Sequence, residues 1–315
     1  MKKNVVALLR NRPFFGSRLT SLPALYQLKQ AFPDHRLMLV GRGNDSSFYS
    51  LFDWVDCVIE SKTLANDIIK IPHKPDVMVS FQPSSERGAI TKIFKKPALS
   101  AGFSKNKNIL SHIWDKRICF NNKEYRATHY LQLLDTMTPH GINIHQSLKA
   151  PFLDLASSDH LQTESLGKKF NIVLMPGGGA GEFKKWGCQS FIQAALFLAK
   201  TIDTKAQIHV ILGPAETAEV NALGKMKTGN IKTHHSPNIF SLCNIISKSN
   251  LVIANDCGPS HIAQCLGLPY VGIYSHNNTE WFRVTDRSVM ITPETGQDIK
   301  DISQDRVIKA ALSVV

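Results

Sequence analysis

The 315-residue chain lacks the devices that hold small or secreted domains together. Its six cysteines (Cys57, Cys119, Cys188, Cys243, Cys257 and Cys265) are scattered, with no C-x-x-C pair. That spacing argues against a zinc site or a disulfide framework and fits a reducing compartment. A long apolar run is also missing. The start, MKKNVVALLRNR, is basic but has too few apolar residues before Arg10 for a signal peptide. Residues 257–279 are uncharged, yet Gly, Pro, Ser, Gln, His and Asn interrupt them, so they do not read as a membrane span. No D-x-D pair occurs anywhere, so a diphosphate would be held by backbone, lysine and helix dipole rather than by a chelated metal. No zinc-finger or RNA-binding signature is present, and the aromatics are not interleaved with the basic residues, which leaves nucleic acid the poorest partner.

Acid is scarce in the first half. Residues 1–150 hold 22 Lys and Arg against 11 Asp and Glu, whereas residues 151–315 hold 15 against 14. The stretch from Arg87 to Arg117 contains Arg87, Lys92, Lys95, Lys96, Lys105, Lys107, Lys116 and Arg117 against the single acid Asp115. Such a surplus is either a solvated basic face or a surface for something anionic: a phosphorylated or carboxylated substrate, or a membrane. What is abundant is ordinary globular material, with 43% hydrophobic and 20% charged residues. The length suits two domains, each able to bury a core without staples.

Strand and helix alternate along the whole chain. Residues 4–9 (NVVALL), 36–40 and 76–81 read as buried strands. Leu19, Leu22, Leu25, Leu28 and Phe32 have helical spacing, with Pro23 tolerated in a first turn capped by Thr20 or Ser21. Residues 128–137 look helical. Periodicity fades from Pro151 to Ser158, which places a linker there and divides the chain into 1–152 and 153–315. In the second half, 171–175, 207–212, 251–254 and 270–274 read as strands, and 189–200 and 260–266 as helices; Ala218, Val220 and Leu223 mark another. This alternation predicts an α/β protein with parallel sheets in two domains. Ligands of such sheets sit at the carboxyl ends of strands, so a cleft between the domains is the expected site.

Two stretches carry chemistry. Pro176, Gly177, Gly178 and Gly179 lead a glycine-rich turn ending at Gly181, between a strand and a helix, where backbone N–H groups can approach a phosphate. It is neither a Walker loop nor a dinucleotide fingerprint. Lys184 follows closely enough to reach the same phosphate. The sharper stretch is residues 255–261, NDCGPSH, at the end of a buried strand: Asp256, Cys257, Gly258, Pro259 and His261 present an acid, an imidazole and free N–H donors around one point. The alternative is that Asp256 forms a turn and Ser260 caps a helix.

Residues 251–274, LVIANDCGPSHIAQCLGLPYVGIY, resemble the signature of the heptosyltransferases of lipopolysaccharide core synthesis and their wider glycosyltransferase family, D-[ST]-G-x-x-H-[IL]-A followed by G-x-P and an apolar strand. Two further stretches are similar in the same order: 176–186, a glycine turn closing in Lys184-Lys185-Trp186, and 16–33, GSRLTSLPALYQLKQAFP. The resemblance implies a GT-B fold, two Rossmann-like domains facing a central cleft, with acceptor on the first and nucleotide sugar on the second. It implies an inverting, metal-independent transfer of a sugar, typically heptose from an ADP donor acting as cosubstrate, onto an anionic lipopolysaccharide or related surface glycan. Asp256 and residues 257–259 would hold donor sugar and diphosphate, beside His261. Lys184 would contact phosphate and Glu216 the donor ribose. The protein would work in the cytoplasm, peripheral on the anionic inner membrane. The basic first half fits an anionic acceptor, with Arg18, Arg87 and Lys92 as its expected contacts.

One departure bears on mechanism. Family members carry an acid directly after the first glycine of the N-terminal motif, where this chain has Ser17, and a neutral serine does not serve as a base at pH 7 without a partner. After the last strand, Ser275-His276-Asn277 replaces the family's glycine-proline-threonine. Glu86 and then Asp45 are the candidate substitutes for the base, since both follow strands at carboxyl ends; the alternative is that Glu86 only favours the first turn of the helix after Pro83-Ser84-Ser85. Two other functions share the fold: a nucleotide-sugar epimerase, which needs no acceptor, and a paralogue with altered donor or no catalysis.

Overall fold

A computed structural model describes residues 3–10, 14–43, 45–83, 86–105, 109–157, 169–179, 181–226 and 229–315. Arg12, Pro13, Ser84, Ser85, Lys107, Ser158 and Ala180 lie outside the described residues. The chain divides into two compact units, Met1–Leu148 and Lys149–Val315.

The first unit runs β1 (Asn4–Leu8), α1 (Phe15–Ala31), β2 (Arg36–Gly41), α2 (Asp45–Tyr49), β3 (Cys57–Glu60), α3 (Leu64–Lys70), β4 (Val77–Ser80), α4 (Glu86–Lys95) and β5 (Leu99–Ser104). A 3-10 turn (Ile109–Ile113), β6 (Lys116–Cys119) and α5 (Arg126–Asp135) complete it. Its strands form one parallel sheet in the order β3-β2-β1-β4-β5-β6. Strand order reverses between β1 and β4. Crevices outside the carboxyl ends at such a reversal are where open α/β sheets take ligands. The central strands β1 and β4 are buried on both faces, which is why they read as unbroken apolar runs.

Helix α1 begins at Phe15, five residues before the expected cap, and contains Pro23 in its interior. The hydroxyls of Thr20 and Ser21 cap nothing; they donate to the carbonyls of Ser17 and Arg18 one turn back (3.1 and 2.8 Å). The buried stripe of Leu19, Leu22, Leu25 and Leu28 outweighs the hydrogen bond lost at Pro23. The expected linker is likewise helical: α6 spans Ile144–Ser157, with Pro151 inside it. Leu148, Phe152 and Leu155 are buried at helical spacing, and burying such a stripe compensates one proline.

The second unit contains β7 (Asn171–Met175), α7 (Cys188–Ile202), β8 (Gln207–Leu212), α8 (Thr217–Gly224), β9 (Ile231–His235), α9 (Ile239–Ser247) and β10 (Leu251–Asn255). It continues with α10 (Ser260–Leu266), β11 (Tyr270–Ile273), β12 (Ser288–Ile291) and α11 (Gln304–Val314). A 3-10 turn (Glu182–Lys184) separates the glycine run from α7. The parallel sheet has the order β12-β11-β10-β7-β8-β9 and reverses between β7 and β10. One apolar core joins strands to α7 and α11, from Ile172 and Leu174 through Phe191 and Leu198 to Val307 and Ala311. All six cysteines are free thiols. No helix among the described residues is long and apolar enough to cross a membrane.

Candidate functional site

Both motifs of the second unit leave its sheet at the reversal. Strand β7 runs into Pro176 and the glycine turn, and its neighbour β10 runs into Asp256. Asn255, fully buried, binds the two together. Its Nδ2 donates to the Pro176 carbonyl (2.6 Å), and its Oδ1 accepts from the Trp186 backbone N–H (3.3 Å). Trp186 is in turn fixed by its indole N–H on the Ile302 carbonyl (2.7 Å). Lys184 Nζ forms an ion pair with Asp256 Oδ2. Their side chains are 19% and 12% exposed, so the pair is sheltered yet reachable from solvent.

Glu216, which follows β8, lies on the other side of the glycine turn. Its Oε2 accepts the Gly213 N–H (2.6 Å), while its Oε1 is 3.9 Å from Lys185 Nζ. A Cβ on Gly177 would come within 3.0 Å of Oε1, and one on Gly213 within 2.8 Å of Oε2, so glycine lets the carboxylate sit against both turns. Lys185 also pairs with Glu182 (2.7 Å). Cys257, Gly258 and Pro259 form the turn into α10. Ser260 is inside that helix rather than its cap, and donates to the Cys257 carbonyl (2.8 Å).

His261 is buried one residue further on, its ring 5.6 Å from that of Trp281 and its Nδ1 3.3 Å from Gln264 Nε2. Burial pushes its pKa down to about 4, against the smaller opposing pull of Asp256. The imidazole is therefore neutral at pH 7. Burial likewise pushes the Cys257 thiol up to about 12, which removes it as a nucleophile. A cation, a carboxylate, a neutral imidazole and turn N–H groups thus converge at one strand reversal, a set suited to a diphosphate and to sugar hydroxyls. No group of three or more His, Cys, Asp or Glu able to hold a metal occurs among the described residues.

Asn255 is the residue that sequence reasoning missed. A lone asparagine ending an apolar strand looks like a turn former, and its partners lie 69 and 79 residues away.

In the first unit the expected residues have different fates. Ser17 is buried in the first turn of α1. Asp45 does not stand free as a base. Its Oδ1 accepts from Arg18 Nε (2.8 Å) and its Oδ2 from the Arg42 N–H (2.9 Å), so it holds the turn into α2 and occupies Arg18 as well. Arg87 does not stand free for an acceptor but is bonded within the unit. Its guanidinium grips Asp67 through Nε and Nη2, the latter at 2.6 Å from Oδ1, and also reaches Ser61 Oγ (2.9 Å) and the Thr63 carbonyl (3.0 Å). Lys92 is similarly spent, on the Ile113 carbonyl (2.5 Å) and Asp115 (3.1 Å). These three were placed by charge alone, and charge does not reveal an internal partner. Glu86 remains: it is exposed and is the first residue of α4, which follows β4 at the reversal. Gln82 bridges that loop to the one after β1 by donating to the Leu9 carbonyl (2.9 Å).

The sequence pattern of glycosyltransferase family 9 (heptosyltransferase) matches residues 76–310. Lipooligosaccharide heptosyltransferase 2 of Campylobacter jejuni is 28% identical over 280 residues, covering 83% of this chain and 78% of that protein. The solved structure of E. coli heptosyltransferase WaaC with ADP is similar with a TM-score of 0.69 at 14% identity, covering 99% of this chain and 100% of that one. A UDP-GlcNAc 2-epimerase from Methanocaldococcus jannaschii is similar with a TM-score of 0.56 at 14% identity, covering 99% and 92%. The two structures establish the α/β fold as the two-domain GT-B type, which transferases and epimerases share. The sequence pattern is what separates them, in favour of a glycosyltransferase. The chain belongs to glycosyltransferase family 9, the heptosyltransferase family.

Proposed function

We propose that this glycosyltransferase moves heptose from ADP-heptose onto the core of a lipopolysaccharide-type acceptor, inverting the anomeric carbon. The observation that carries the proposal is the joining of the two second-unit motifs by Asn255 and by the Lys184–Asp256 pair. In this proposal Lys184 and the N–H groups of residues 177–179 take the diphosphate. Asp256 and the backbone of 257–259 take sugar hydroxyls and the adjoining phosphate, with neutral His261 behind them. Glu216 takes the ribose through Oε1, the oxygen not used by Gly213.

In the reaction, the acceptor oxygen forms a bond to the anomeric carbon as the bond from that carbon to the phosphate oxygen breaks. ADP departs with the electron pair. Lys184 and the turn N–H groups stabilise the charge growing on the leaving diphosphate. The acceptor proton goes to Glu86, the exposed carboxylate at the first sheet's reversal, because Ser17 cannot take it. No metal or other cofactor has a step. The enzyme works at the cytoplasmic face of the inner membrane as a peripheral protein.

The test is product analysis with ADP-heptose, with and without a core acceptor lacking heptose. Transfer requires that product appear only with acceptor, and that EDTA leave the rate intact. Altered or free sugar from donor alone would mean epimerase or hydrolase chemistry instead.

A further inference from the structure

One face of the first unit carries large apolar side chains in the open. Helices α3 and α4 and the 3-10 turn at Ile109–Ile113 are neighbours, tied by Arg87 to Asp67 and by Lys92 to the Ile113 carbonyl. On this layer Ile69 is 79% exposed, Ile93 51%, Phe94 55% and Ile109 88%. Isolated exposed apolar residues are normal, but here four stand exposed on three adjoining elements.

The charge around them selects an occupant. Residues 64–117 carry ten Lys and Arg against four acids. Three of those acids are turned inward: Asp67 on Arg87, Asp76 on the Asn4 N–H (2.8 Å), and Asp115 on the Ser100 N–H (2.9 Å) and Lys92. The fourth, Glu86, lies at the opposite end of α4. Lys74 and Lys96 are both exposed, and the Lys74 N–H donates to the Lys95 carbonyl (2.7 Å), which brings the turn after α3 against the end of α4. Apolar side chains framed by uncompensated lysines suit an anionic bilayer, where the rings and aliphatic groups enter the headgroup boundary and the ammonium groups meet phosphates. A second copy of the same face would be repelled by its own charge.

We propose that the outer face of α3, α4 and the following turn docks on anionic lipid, with Ile69, Ile93, Phe94 and Ile109 inserted and Lys74 and Lys96 on headgroups. This rests on the proposed function, because it supplies the surface for a lipid-borne acceptor. It also gives a distance. Glu86 begins the helix that carries Ile93 and Phe94, and a rise of 1.5 Å per residue puts the reacting hydroxyl about 10–12 Å along the helix from them.

The test is sedimentation of the purified full chain with vesicles of phosphatidylcholine alone or with phosphatidylglycerol. The protein should bind the anionic vesicles, less so at high salt. Ile93→Glu/Phe94→Glu should weaken binding by at least about tenfold, and Lys96→Gln by about fivefold. ADP binding by calorimetry should be unchanged in both variants. Lys96→Gln keeps the test decisive should the double variant not fold. Binding by the variants equal to the parent, no preference for anionic vesicles, or a parent dimer abolished by Ile93→Glu/Phe94→Glu would overturn the docking surface. Anionic-vesicle binding with no ADP binding would leave the surface standing and defeat the proposed function.

Discussion

The two units have the same architecture and use charge in opposite ways. At the β7/β10 reversal, groups from distant motifs bond to each other: Lys184 to Asp256, and Asn255 to both sides of the glycine turn. Around the first sheet, the charged groups bond to the scaffold. Asp45 holds Arg18 and the Arg42 N–H, and Arg87 holds Asp67. In the second unit the polar set is a cluster that the fold assembles from distant motifs. In the first, most of the charge fixes loops, and Glu86 is the carboxylate left exposed at the reversal. A basic surplus therefore locates a face, while only the bonding pattern separates the groups that build a loop from those able to meet a ligand.

This contrast can be broken most strongly at Glu86. Glu86→Gln should lower kcat by about 10²–10⁴-fold, the loss expected when a general base is removed, at unchanged thermal stability. Wild-type turnover would remove Glu86 from the mechanism. Activity raised by Ser17→Asp in the same assay would mean that the base position has been lost rather than moved.

Arg87→Ala should behave in the opposite manner. It leaves Asp67 as an uncompensated buried carboxylate, so denaturant titration should show a loss of about 3–5 kcal/mol. The acceptor KM of the folded fraction should stay near its parent value. A large rise in KM with stability intact would return Arg87 to the acceptor site.

Acid should loosen the second unit next. The ordinary histidine pKa is near 6.5, and burial holds that of folded His261 at about 4. Between those values the unfolded chain takes a proton that the folded chain refuses, so stability is complete above pH 6.5 and falls as pH drops toward 4. The histidine alone accounts for about 3 kcal/mol over that window. His234, lowered to about 4 first by burial and then by His209 and Lys232, adds in the same direction. Denaturant titrations at stepped pH should show the slope, and His261→Asn should flatten it.

The smallest expected effect is at Asp45. Asp45→Asn should cost about 1–3 kcal/mol by weakening its bond to Arg18, with turnover of the folded enzyme retained.

How much of this was legible in the sequence follows from burial. Strands β7 and β8 and helix α10 match their expected limits because apolar runs and Gly-Pro turns bound them sharply. The edge strands β6 (KRIC), mostly exposed, and β9 (IKTHH), mostly half-buried, are polar, so no apolar run marks them. The start of α1 was hidden because Phe14 precedes it without a side-chain cap, while Thr20 and Ser21 imitate one. The positions of Asp256 and Lys184 were readable from motifs. Their pairing was not, since a contact spanning 72 residues has no local signature.

The central claim is that the joined motifs at the β7/β10 reversal form the donor site. Calorimetric titration with ADP of the parent, Lys184→Ala, Asp256→Ala and the double variant tests it most directly. The account predicts metal-independent binding by the parent, weakened about ten- to a hundredfold by Lys184→Ala, the loss of a charge-assisted phosphate contact. Asp256→Ala should weaken ADP less than it weakens the intact nucleotide sugar, and the two substitutions should be non-additive because they share an ion pair. ADP affinity unchanged in both single variants, with the fold intact, would contradict the assignment.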